Sequence, residues 1–82
     1  MNYKECAKKV RAFIKGVVDY HKLCNFQQCG LIILTLQMTS FALPEYSSKE
    51  VGDCLVQLAD KGQINIISKE PLMFTPKDIC NN

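Results

Sequence analysis

The stretch YSSKEVGDCLVQLADKGQINI, Tyr46 to Ile66, fixes how the rest of the chain is read. Ser47 is an N-cap and Glu50 its N3 partner, while Tyr46 before the cap and Val51 at the fourth position supply a hydrophobic staple. A helix therefore begins at Ser48. Val51, Cys54, Leu55 and Leu58 recur at helical spacing as its buried face, and Gly62, just after Lys61, is a left-handed stop. The expected helix covers residues 48 to 61. Beyond it, Ile64 and Ile66 on one side and Leu72, Met73 and Phe74 on the other flank Ser68-Lys69-Glu70-Pro71, the pattern of two short strands joined by a tight turn. Thr75-Pro76-Lys77-Asp78 reads as the start of a last helical turn, with Thr75 as cap and Pro76 at its first position.

Working backwards, Pro44 breaks the chain. Before it, Asn25 with Gln28 three residues on reads as a capped start of a second helix ending near Ser40. Cys29, Leu31, Ile32, Ile33, Leu34, Leu36 and Met38 make that segment apolar nearly all round, as a helix sandwiched in a core would be. The β-branched pair Ile32 and Ile33 after Gly30 favours a strand as the rival. At the N-terminus, Tyr3, Cys6, Val10, Phe13, Val17, Tyr20 and Cys24 recur every three or four residues, with Ile14 and His21 beside them, so Tyr3 to Cys24 is an amphipathic helix. At about 100° per residue, Lys4, Lys8, Arg11, Lys15 and Lys22 lie within roughly 60° of one another, nearly opposite that apolar face. Residues 1–22 hold six Lys or Arg against Glu5 and Asp19, or +4, and residues 23–82 four Lys against six acids, or −2. The net charge of +2 thus conceals a polarised chain. The same stripe is what a solvated helix face would look like.

The 82 residues are too few for two ordinary domains, and a 48% hydrophobic content suffices for one compact core, so a single domain over 1–82 is expected. The longest apolar run, Leu31 to Leu34, is far from the ~20 residues of a membrane helix, and the Lys-rich start lacks a signal core. A cytoplasmic protein without membrane contact is the expectation. Cys6, Cys24, Cys29, Cys54 and Cys80 are odd in number and irregularly spaced, so they are read as reduced, small apolar residues. His21, Cys24 and Cys29 could approach one another, but no C-x-x-C pair accompanies them, and no metal or cofactor is expected. No Gly-rich phosphate loop, H-E-x-x-H, nucleophile elbow or paired-carboxylate arrangement occurs, so no enzyme is expected. Tyr3, Phe13, Tyr20, Phe26, Phe41 and Phe74 are assigned to core packing, with the two tyrosines at its edge.

The order helix, helix, turn, capped helix, Gly, hairpin resembles a winged helix domain over nearly the whole chain. Leu55 to Ile64 and Phe74-Thr75-Pro76 are similar to the end of its third helix and to its wing strands. The fold class implied is mainly α with a small β-hairpin: a winged-helix-like three-helix core plus a C-terminal wing. One departure is that the short strand usual between the first two helices has almost no room around Cys24 to Phe26. The resemblance implies DNA binding, in a transcriptional regulator, with the third helix as recognition helix and Ser68 to Pro71 as wing tip. Ser48, Lys49 and Gln57 could then hydrogen-bond to DNA, and Lys69 sits at the wing. The exposed third-helix positions Ser48, Lys49, Gly52, Asp53, Val56, Gln57 and Asp60 include carboxylates that repel phosphates, which leaves Lys4, Lys8, Arg11, Lys15 and Lys22 as the better phosphate contacts. The alternative is a non-enzymatic protein-interaction module with a degenerate recognition helix, of the kind found among accessory or inhibitory proteins of mobile elements and viruses. The seven-residue repeat Cys6, Phe13, Tyr20 with Val10, Val17, Cys24 allows a homodimer through the first helix.

Overall fold

A computed structural model describes residues 3–23 and 32–77. Six elements follow in order: α1 (Tyr3–Leu23), β1 (Leu34–Thr35), α2 (Leu36–Ala42), α3 (Ser48–Asp60), β2 (Ile64–Lys69) and β3 (Leu72–Pro76). The strands form one antiparallel sheet in the order β1-β3-β2, with Leu34 opposite Phe74 and Ile66 opposite the same Phe74. The result is mainly helical with a small sheet, and its element order is compatible with a winged-helix topology.

The capping signals at α3 act as their chemistry requires. Ser47 Oγ accepts from the Glu50 backbone N–H at 3.1 Å, and the Ser47 N–H donates to Glu50 Oε1 at 2.9 Å. At the other end Gln63 N–H donates to Leu58 O and Gly62 N–H to Ala59 O, the two bonds of a Schellman motif, with Gly62 at φ 75°. The chain is thereby turned sharply into β2. That strand pairs with β3 through a bulge between Ile66 and Ser68.

Two expected elements are corrected. The second helix does not run from Asn25 to Ser40: Leu34 and Thr35 form β1, and α2 starts at Leu36 with Thr35 as its N-cap, its hydroxyl accepting from Met38 N–H at 3.1 Å. The proposed cap at Asn25 and Gln28 lies outside the described residues, as do Cys24, Phe26 and Cys29. The short strand that had no room near Cys24 is thus found ten residues later, where the rival strand reading of Ile32 and Ile33 pointed. Nor do Thr75 and Pro76 open a helical turn: both are buried in β3, opposite Asn65 and Ile64, because strand pairing outweighs a local capping pattern. Asp78 onward lies outside the described residues.

The core joins all six elements: Phe74, fully buried on the central strand between β1 and β2, belongs to one cluster with Cys6, Val10, Ile14, Val18, Leu34, Val51, Leu55, Leu58 and Ile64, against which Leu36 of α2 packs. Along α1 the buried residues Cys6, Val10, Ile14 and Val18 are four apart, so the row drifts about 40° per step across an ideal helix. Phe13 and Val17, placed at the centre of the apolar face by the sequence, are only partly buried, and Tyr3 and Tyr20 are exposed. The rotation has a cost for the dimer read into α1: Cys6 and Val10 are fully committed to the chain's own core and cannot also meet a second copy.

Candidate interaction surfaces

α1 carries the first surface. Lys4, Lys8 and Lys15 are exposed and Arg11 is half-buried. Lys22 lies in α1, but its side chain is not among those described. Because the buried row rotates toward Val18, Lys4 and Lys8 stand nearly opposite Cys6 while Arg11 and Lys15 come within about 60° of Ile14 and Val18 respectively, beside the core edge. On an ideal helix the far side belongs to Glu5, Ala12, Gly16 and Asp19, all exposed. Lys15 shares its charge with Asp19 at 3.6 Å, an exposed i,i+4 pair of little energetic weight. Among the described residues Lys8 and Arg11 form no ion pair. From Lys4 to Lys15 the column spans about 17 Å at 1.5 Å per residue.

Lys9, one position off this column, has a different role. Its ammonium donates to Glu45 Oε2 at 2.8 Å, lies 3.4 Å from Glu5 Oε1, and sits 5.6 Å from the centre of the Tyr46 ring. The hydrogen bond to Glu45 raises the Lys9 pKa and lowers that of Glu45. This cluster clips α1 to the turn that feeds α3. Tyr3 makes a second clip, its hydroxyl donating to Asp53 Oδ2 at 3.4 Å.

The second surface lies where α2, α3 and β3 meet. Thr35, Leu36, Gln37, Ser40, Phe41, Ser48, Pro71 and Leu72 line a groove of about 590 Å³, and none of them is charged. Phe41, which the sequence assigns to the core, is 88% exposed at its margin. Thr39 takes the inward position instead, its hydroxyl donating to Thr35 O at 2.9 Å, so α2 turns Phe41 outward. A second groove of about 560 Å³ shares Leu36, Ser48 and Leu72 with the first and continues along α3 past Val56 to Ala59 and Ile66. Its charged lining is balanced: Lys49 and Lys69 against Asp53 and Asp60.

The predicted contact residues therefore fall into two groups. Lys4, Lys8, Arg11 and Lys15 share α1, whereas Lys49 and Lys69 come together on the second groove with Ser48. Gln57 is exposed on α3. Ser48 Oγ is 3.1 Å from Ser40 Oγ, so it is already hydrogen-bonded within the fold. Phe41 and the grooves were missed by sequence reasoning, since no local pattern marks a surface assembled from three separated segments.

Cys6 and Cys54 are free, fully buried thiols on facing helices, and burial pushes the Cys54 thiol up to about 12. His21 Nδ1 is 2.8 Å from Val17 O. No group of three His, Cys, Asp or Glu among the described residues could hold a metal ion, and the cysteines considered with His21 lie outside them. No described helix is long and apolar enough to cross a membrane. No protein-family model, curated protein or solved structure matches this chain.

Proposed function

We propose that the chain is a small winged-helix-like protein that binds duplex DNA through the phosphate backbone, in a transcription-regulating role, with α1 as its main contact. The observation that carries this reading is the column Lys4, Lys8, Arg11 and Lys15 on one side of a 21-residue helix. Its length of about 17 Å matches roughly five phosphates of one strand, at about 3.4 Å of helix axis each. The element that would occupy the recognition position supports the same division of labour. Its outer face sets Lys49 against Asp53 and Asp60 around an exposed Val56, and the wing tip sets Lys69 beside Glu70, so little there attracts a polyanion. Contacts of this kind position a protein on DNA without selecting a sequence. Replacing Lys4, Lys8, Arg11 and Lys15 together by Glu tests the reading. Retention of labelled duplex DNA at low salt is expected to vanish while the far-ultraviolet circular dichroism stays that of the wild type. Undiminished retention by that variant sinks the proposal.

A second reading, a non-enzymatic protein-interaction module, is favoured by one feature: the uncharged groove with Phe41 standing exposed beside it. The two readings use different faces and are compatible.

A further inference from the structure

We infer that Asp19 restrains the DNA contact of α1: its carboxylate competes with the phosphate backbone for Lys15, so the column binds less tightly than its cations alone would. The inference rests on the DNA-binding reading and names a residue that sets the strength of that contact.

Position is the first observation. On an ideal helix Asp19 borders the cation column, about 20° from Lys8 and about 40° from Lys15. Its Oδ2 is 3.6 Å from Lys15 Nζ, and the two side chains are 57% exposed for Lys15 and 52% for Asp19. A phosphate that approaches Lys15 from solvent therefore finds this carboxylate already at the ammonium.

The other nearby acids are engaged elsewhere. Glu5 Oε1 lies 3.4 Å from Lys9, whose ammonium also donates to Glu45 at 2.8 Å, so its charge belongs to the clip between α1 and the turn before α3. Asp53 accepts from the Tyr3 hydroxyl and, with Asp60, lines the groove on α3. Among the described residues of the column, Lys8 and Arg11 form no ion pair, which leaves Lys15 as the cation that an acid of the same helix face holds.

Weighing the pair shows where it acts. An exposed i,i+4 pair adds little to helix stability, so Asp19 is not needed to hold α1 in place. Beside a phosphate the same negative charge acts twice: it partly neutralises Lys15 and it repels the incoming anion, both within a screening length of about 10 Å at 0.1 M salt.

Binding of the full chain to labelled generic duplex DNA at about 50 mM salt tests the inference. Asp19→Asn is expected to tighten binding by about 3- to 5-fold, the upper range of what one exposed ion pair supplies. Asp19→Glu keeps the charge beside Lys15 and is expected to bind like the wild type. Asp60→Asn makes the same change in net charge on α3, outside the column, and should alter affinity by less than about 2-fold. In a Lys15→Gln background most of the gain from Asp19→Asn should disappear, and the circular dichroism of Asp19→Asn should stay that of the wild type. An Asp19→Asn variant that binds no tighter, a gain equalled by Asp60→Asn, or a gain that persists in full without Lys15 overturns the inference while leaving DNA binding by α1 intact. A wild type that retains no DNA under these conditions removes the DNA-binding reading itself, and the inference with it.

Discussion

At the scale of single residues, the end groups of α3 are where the sequence acts most directly. Ser47→Ala removes the acceptor for the Glu50 N–H and should destabilise the fold by about 1 kcal/mol, readable as a lowered denaturation midpoint. The Ser47 N–H holds the Glu50 carboxyl below its ordinary value of 4.5. A depressed carboxylate contributes stability above the unfolded-state value and loses it as pH falls through the folded one. Stability should therefore decline on acidification from about 4.5, and Glu50→Gln should make that decline shallower while lowering stability at neutral pH. Gly62 at φ 75° shows why one glycine is required: an added Cβ meets nothing within 4 Å, so Gly62→Ala should cost about 1–2 kcal/mol through backbone conformation alone. At Gly52 the reverse holds. There a Cβ would stand 3.8 Å from the Leu36 side chain, an ordinary approach, and Gly52→Ala should gain up to ~1 kcal/mol from helix propensity. The buried Cys6 and Cys54 thiols should resist maleimide in the native protein and react only on unfolding, which peptide mapping reads directly.

Among the elements, legibility followed the locality of the signals. α3 was readable to within a residue because its cap, staple and Schellman glycine all lie within a turn of its ends. The hairpin was readable from apolar residues on either side of a Lys-Glu-Pro turn. The segment from Ile32 to Ala42 was not, since residues apolar on every side have no period, and the choice between strand and helix was made by Leu34 pairing with Phe74 across the sheet. Thr75 and Pro76 were misread for the same reason, a tertiary partner overruling a local pattern. On α1 the helix was plain, but its buried row drifts with i+4 spacing, so Lys4 and Lys8 stand nearly opposite Cys6 while Arg11 and Lys15 come beside the core edge near Ile14 and Val18. The roles of individual lysines now differ. Lys8→Gln should make the salt dependence of DNA binding shallower, by about 0.9 in slope for the one phosphate that Lys8 neutralises. Lys9→Gln should leave that slope unchanged and lower thermal stability instead, because Glu45, Glu5 and Tyr46 already hold its charge.

On the scale of the whole molecule, two faces divide the work that the winged-helix pattern assigns to one. α1 offers a column of positive charge, with Tyr3 and Tyr20 also exposed on it, and the α2, α3 and β3 face offers apolar surface without net charge. The cation column of the first face was legible from helical spacing, though not its relation to the core, which depends on the phase of α1 packing; the second face has no sequence signature, because three segments must meet to form it. DNA binding depends on the α1 cations neutralising phosphates, and the dependence of duplex DNA affinity on salt measures that directly. Four neutralised phosphates per chain give a slope of log K against log salt of about −3.6 for the wild type, with binding itself lost when Lys4, Lys8, Arg11 and Lys15 are replaced by Glu. A flat dependence in the wild type, or no measurable binding at low ionic strength, would contradict it.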